Sequence, residues 1–138
     1  MAIIDSSVYI ALINQHEAFH EHSLQWFRQA IATRTPMSVP AIFLAEVAAA
    51  VSRGQNDTDL ARRAVTFVRK SRYIFVQPIS IALAESAAKI AGEQRIRGCD
   101  AVYVAMALQS VQPLVTLDRQ LAQRGSSIVS IIRLWEAL

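Results

Sequence analysis

Cysteine is almost missing from this chain: Cys99 is the only one in 138 residues. That rules out an internal disulfide and a cysteine-built zinc site, and it fits a reducing cytoplasm as the expected location. Long apolar runs are missing as well. The longest, 41–51, is broken by Glu46 and falls short of the roughly 18 uninterrupted apolar residues a membrane span needs, so no membrane partner is expected. The opening Met1-Ala2-Ile3-Ile4-Asp5 has neither the basic stretch nor the long apolar stretch of a signal peptide. Only four glycines are present, and no Gly-x-Gly-x-x-Gly or similar phosphate-cradling loop follows a predicted strand. Lysine is scarce: 2 Lys stand against 12 Arg.

What the chain does have is apolar mass. A hydrophobic share of 53% at this length suits one domain over 1–138, burying roughly 68% of the surface that its unfolded form exposes. The net charge of +3 is carried by arginine, whose planar fork can bond two phosphate oxygens at once, although a solvated arginine-rich surface has the same composition. Short apolar runs at Ile3-Ile4, Met37-Val39, Ile74-Val76, Leu114-Thr116 and Ile128-Val129 read as strands. Between them lie stretches of helical spacing: 8–13, 23–33, a helix entered at Pro40 and closed by Gly54, 59–69, a helix capped by Ser80 and running to about Arg95, 101–108, and a short helix from Asp118 to Gly125. Leu134-Trp135 is expected to pin the tail. Short buried strands alternating with helices predict a three-layer α/β/α fold, with a parallel sheet of four to five strands.

Acidic residues are few, 11 in all, and four of them sit in apolar surroundings. Asp5 follows Ile3-Ile4, Glu46 is alone within 41–51, Asp100 opens an apolar helix, and Asp118 follows Leu114-Val115-Thr116-Leu117. Asp5, Asp100 and Asp118 could each be a plain helix N-cap. Glu46 cannot, because it lies inside its helix with Ile42, Phe43, Ala49 and Ala50 around it. A buried carboxylate needs a partner, either an arginine or a metal. Sites in open parallel sheets form beyond the carboxyl ends of the strands, where these acids would meet. Two carboxylates ~5 Å apart repel by about 3 kcal/mol at an effective dielectric of ~20, so such a cluster calls for a cation, and hard oxygen ligands select Mg²⁺ or Mn²⁺. Setting the four charges aside leaves a body four units more positive than the net charge, suited to a phosphate backbone.

At these residues the sequence resembles the PIN-domain family, in particular the VapC-like toxins of toxin–antitoxin pairs. Four blocks carry the likeness: Ile3-Ile4-Asp5-Ser6-Ser7-Val8-Tyr9-Ile10; Leu44-Ala45-Glu46-Val47; Cys99-Asp100-Ala101-Val102-Tyr103-Val104-Ala105-Met106-Ala107; and Val115-Thr116-Leu117-Asp118-Arg119-Gln120-Leu121. The resemblance implies a parallel sheet flanked by helices and Mg²⁺- or Mn²⁺-dependent endoribonuclease activity. It also implies an RNA substrate, a homodimer and a small antitoxin partner. Asp5, Glu46, Asp100 and Asp118 would bind the metal and carry catalysis, with Ser7 and Thr116 fixing the carboxylates from behind. The fourth block holds one acid where some relatives place two, which leaves one metal or two open. The alternative is a catalytically silent PIN-like module acting through protein partners.

Other features have plainer readings. His16, His20 and His22 lack a firm third metal ligand and fit a polar loop or helix start. Arg97 and Arg119 would meet phosphate, or else be surface charge or pair with a site acid. Arg62, Arg63, Arg69 and Lys70 form a basic helix face, read as solvated. Trp26-Phe27 has core spacing. Rival phosphohydrolases lack support: Ser7 stands where a haloacid-dehalogenase-like Asp-x-Asp needs its second acid, and a receiver domain's early acidic pair is missing.

Overall fold

The structure is a computed structural model that describes residues 1–136. Five strands form one parallel sheet: β1 (Ala2–Ile4), β2 (Met37–Pro40), β3 (Ile74–Gln77), β4 (Leu114–Thr116) and β5 (Ile131–Arg133). Their order is β3-β2-β1-β4-β5. Among the described residues seven α-helices cover the sheet: α1 (Ser6–Ile13), α2 (His20–Ala32), α3 (Ile42–Gln55), α4 (Thr58–Lys70), α5 (Ile81–Gln94), α6 (Gly98–Ser110) and α7 (Arg119–Gly125). The result is a three-layer α/β/α arrangement.

The three inner strands are buried along their whole length, while the edge strands β3 and β5 are partly open. This burial explains why the inner strands read as unbroken apolar runs and not as alternating ones. Val8, Phe43, Val47, Tyr103 and Val104 are buried against Ile3, Ile4, Val39, Leu114 and Val115 and join the helices to the sheet. From β1 the chain first builds outward through β2 and β3, then returns to lay β4 on the other flank of β1 and β5 beyond it. The winding reverses between β1 and β4, and in open parallel sheets the carboxyl ends of the strands at such a reversal flank a crevice. Asp5 follows β1 and Asp118 lies two residues beyond β4, on the two lips of that crevice.

Several boundaries differ from the sequence reading. Pro40 is the last residue of β2, paired with Gln77, and not a helix start. Successive N–H groups alternate sides, and Ala41 donates to Gln77 on the β3 side, so Pro40 faces β1 beyond the end of that strand, where a missing N–H costs nothing. Gly54 lies within α3; the helix is closed by Asn56 in the left-handed conformation. Ile128 and Val129 close a turn onto the Gly125 carbonyl, and the last strand follows at Ile131. Helix α6 starts three residues earlier than expected, which places Asp100 in its first turn and not at a cap. Helix α2 likewise begins at His20, earlier than the expected 23. Ser80 caps α5 as expected, with its side chain bonded to the Leu83 N–H. Leu134 is fully buried in a short 3-10 turn, Leu134–Glu136, and pins the chain there. Among the described residues no helix is long and apolar enough to cross a membrane.

Candidate functional site

Asp5 is the most buried of the acids, 4% exposed, and both of its oxygens are engaged. Oδ1 accepts the Ser7 hydroxyl and, at 3.3 Å, the Val8 N–H; Oδ2 accepts the Thr116 hydroxyl. The expected N-cap role is therefore real, but it uses only Oδ1. A carboxylate has about four lone-pair sites, so Oδ1 is filled and Oδ2 keeps one open. The two hydroxyls also accept hydrogen bonds. Ser7 Oγ receives the Leu117 N–H at 3.2 Å, and Thr116 Oγ1 receives the Asp118 N–H at 2.9 Å. These bonds tie the β1–α1 junction to the β4–α7 junction.

Asp118 repeats the pattern at the second lip. Its Oδ1 caps α7 by accepting the Gln120 and Leu121 N–H groups, both at 3.0 Å, which leaves Oδ2 outside the cap. Asp100, on α6, has its Oδ2 bonded to Arg97 Nε at 3.2 Å. The same guanidinium reaches Asp118 Oδ2 at 3.6 Å. Arg97 thus stands between two acids, on an outer face where its side chain remains 76% exposed. Of the sequence expectations for Arg97, the structure shows the ion pair to a site acid, made at the surface.

Glu46 projects from α3 among apolar neighbours, with Phe43 and Val47 fully buried. Of the two expected partners, arginine or metal, no arginine is bonded to it among the described residues; the Tyr103 hydroxyl donates to Oε1. Tyr103 lies one turn beyond Asp100 on the same face of α6 and was missed in the sequence. The signal was available, since residues three apart share a helix face and a buried tyrosine hydroxyl usually has a bonding partner.

Burial and neighbouring acids raise three of these carboxyls. Burial pushes the Asp5 carboxyl up to about 6 from an ordinary 3.8, against the pull of its bonds to Ser7, Thr116 and Val8, and the charge of Asp100 adds to the rise. Glu46 is raised by burial and by Asp100, opposed by the Tyr103 bond. Asp100 is raised by burial and by Asp118, opposed by Arg97. Burial and the facing Glu46 push the Tyr103 phenol well up, so it stays a donor. Asp100 therefore lies within electrostatic reach of all three other acids, and the four belong to one edge of the sheet. Their oxygens are hard donors, the chemistry that suits Mg²⁺ or Mn²⁺. Among the described residues no three acidic, histidine or cysteine side chains are grouped to hold a metal ion by themselves. Mg²⁺ seldom needs such a cage: it commonly takes one or two carboxylates and completes its shell with water and substrate phosphate. The donor set fits on those terms.

The sequence profile of the PIN domain family matches residues 2–126. The chain belongs to the PIN domain family. Solved structures share this PIN fold. VapC20 of Mycobacterium tuberculosis, described as a sarcin–ricin loop cleaving toxin, has a TM-score of 0.75 at 19% identity, covering 91% of this chain and 95% of that one. FitAcB from Neisseria gonorrhoeae gives 0.73 at 18% identity, over 98% and 99%. VapBC2 from Rickettsia felis, bound to a promoter DNA fragment, gives 0.72 at 13% identity, over 95% and 96%. No curated protein matches the sequence. In this PIN domain the four acids of the sequence reading share the carboxyl edge with Ser7, Thr116, Arg97 and Tyr103.

The remaining candidates fall elsewhere. His20 Nδ1 contacts the Ala11 carbonyl of α1 at 2.8 Å, and His22 stacks edgewise on Phe19 at the start of α2. Phe27 is buried and Trp26 packs beside it. Arg119 lies over the Trp135 ring, 4.9 Å from its centroid. Arg62 and Arg63 both pair with Asp59 on an exposed helix face.

Proposed function

We propose that this chain, as one domain over 1–138, is a metal-dependent endoribonuclease, the toxin of a VapBC-type toxin–antitoxin pair. The observation that carries the reading is Asp5: a buried carboxylate at the winding reversal, bonded by Ser7 and Thr116, within reach of Asp100 and, through it, of Glu46 and Asp118. Such a concentration of negative charge is costly until a cation enters. PIN-domain nucleases generally use divalent metal ions, which supports Mg²⁺ or Mn²⁺ here. Solved relatives described as toxins or as toxin–antitoxin complexes support a small antitoxin partner.

When bound, the cation supplies positive charge to the phosphoryl oxygens as an in-line displacement proceeds. The chain's own residues set the stage. Asp5 and Asp118 each hold Oδ1 in a cap bond, and Oδ2 of each is the oxygen that would hold the cation. Ser7 and Thr116 lock Asp5 in its rotamer. Asp100 would bind the cation directly or through water, and Glu46 would bind it or orient the attacking water. Arg97, once released from the acids, would pair with a phosphate of the RNA backbone. A homodimer would place two such edges in one particle.

The test is cleavage of a structured RNA by the purified chain, with Mg²⁺ or Mn²⁺ and with chelator. Asp5→Asn and Asp100→Asn should fold and lose metal-dependent cleavage. Undiminished cleavage by either folded variant excludes this mechanism.

A further inference from the structure

Tyr103 is 1% exposed and lies 57 positions from Glu46 in sequence, yet its hydroxyl is spent on that one carboxylate. A phenylalanine would fill the same core volume, so packing alone does not call for the hydroxyl. The pair joins α6, which carries Asp100, to α3, which carries Glu46. No arginine or lysine forms an ion pair with Glu46 among the described residues. Ser6, at the start of α1, lies beside both partners. A glutamate has three free torsions, and the hydrogen bond offsets the rotamer freedom lost on ordering it before any ligand arrives.

We infer that Tyr103 is a positioning residue for the proposed nuclease reaction: its hydroxyl holds Glu46 by Oε1, so that Oε2 is presented to the cation or to the attacking water. This rests on the metal-dependent reading above and extends it to a residue outside the acidic set. Asp100 and Tyr103, one turn apart on α6, then set a fixed spacing between one acid they supply and one acid they hold.

The test uses the full-length chain and Tyr103→Phe, alone and combined with Glu46→Gln. Mn²⁺ binding is measured without RNA by calorimetry, and kcat and KM are measured with RNA at saturating Mn²⁺. Tyr103→Phe should keep its fold and lose about tenfold or more in Mn²⁺ affinity, in kcat or in both, the size seen when an outer partner of a ligand is removed. KM should stay within about twofold, because ground-state RNA binding is left unchanged. In the Glu46→Gln background the same substitution should have little further effect, since the two residues act as one unit. Parental Mn²⁺ affinity and kcat in Tyr103→Phe would overturn the inference, as would an equal loss in the Glu46→Gln background. If the parent chain itself binds no Mn²⁺, the nuclease reading falls and the inference falls with it, a result distinct from a parent that binds and a Tyr103→Phe that binds equally well.

Discussion

Thr116 donates its hydroxyl to Asp5 across 111 residues of sequence and, with the same oxygen, accepts the Asp118 N–H. One hydroxyl thereby sets the spacing of two acids on opposite lips of the crevice. Thr116→Val keeps the shape and removes both bonds. Denaturant unfolding should show a loss of about 1–3 kcal/mol, the cost of leaving buried partners unpaired. Thr116→Ser should recover most of it. A valine variant as stable as the parent would mean that the bond carries little.

The stability of the metal-free chain should fall as pH rises from about 4 to 6. The Asp5 carboxyl is raised from 3.8 to about 6 in the folded state. A group whose folded value lies above its unfolded one stabilises the fold below the unfolded value, and that contribution is lost as pH passes the folded value. The interval corresponds to about 3 kcal/mol. Glu46 and Asp100 are raised too and act in the same direction. Thermal melts in chelator across pH 4–8 should show the slope, and Asp5→Asn should flatten it and melt higher than the parent at pH 7. Added Mn²⁺ should restore the parent at pH 7 far more than at pH 5, where the site holds protons.

Arg97 lies where a cation would be drawn, paired with Asp100 and Asp118. Its pairs are exposed and therefore weak, so Arg97→Gln should raise Mn²⁺ affinity only about twofold to fivefold. The same variant should raise KM for RNA and reduce the salt dependence of RNA binding, because one phosphate contact is lost. Unchanged Mn²⁺ affinity together with unchanged KM would leave Arg97 a surface residue.

Val111 closes α6 in the left-handed conformation, φ 53 and ψ 47, a place where a β-branched residue is strained. It is also 87% exposed, so its side chain gains little from burial. Val111→Asn should stabilise the chain by about 1 kcal/mol, read as a higher melting temperature, with RNA cleavage unchanged. A lower melting temperature would show that the isopropyl group has a packing role.

Much of this architecture could be read before any coordinates. Ile3-Ile4 and Leu114-Thr116 announced buried parallel strands by their unbroken apolarity, and Asp5 and Asp118 marked the turns that follow. Glu46 stood out because no stripe of polar neighbours explained it. The misreadings share a cause. Gly54, Pro40 and Ile128-Val129 were judged by local preference, whereas their states are set by partners: the end of β1 for Pro40, Asn56 for the end of α3, and the Gly125 carbonyl for 128–129. Among the described residues the left-handed positions belong to Arg34, Asn56, Arg95 and Val111 and to no glycine, so the usual signal for a helix end was silent. Tyr103 itself was legible, one turn beyond Asp100, but its pairing with Glu46 was not. That pairing depends on how α6 and α3 face each other across the chain, which no short window of sequence contains.

The claim beneath all of this is that a divalent cation binds at the edge where Asp5 lies. Anomalous diffraction from crystals grown with Mn²⁺ tests it most directly. The expected result is a peak against Asp5 Oδ2, shared with Asp118, Asp100 or Glu46 directly or through water, with the Arg97 guanidinium moved aside. Saturating Mn²⁺ that leaves no peak at Asp5 and the Arg97 pairs intact would contradict the account.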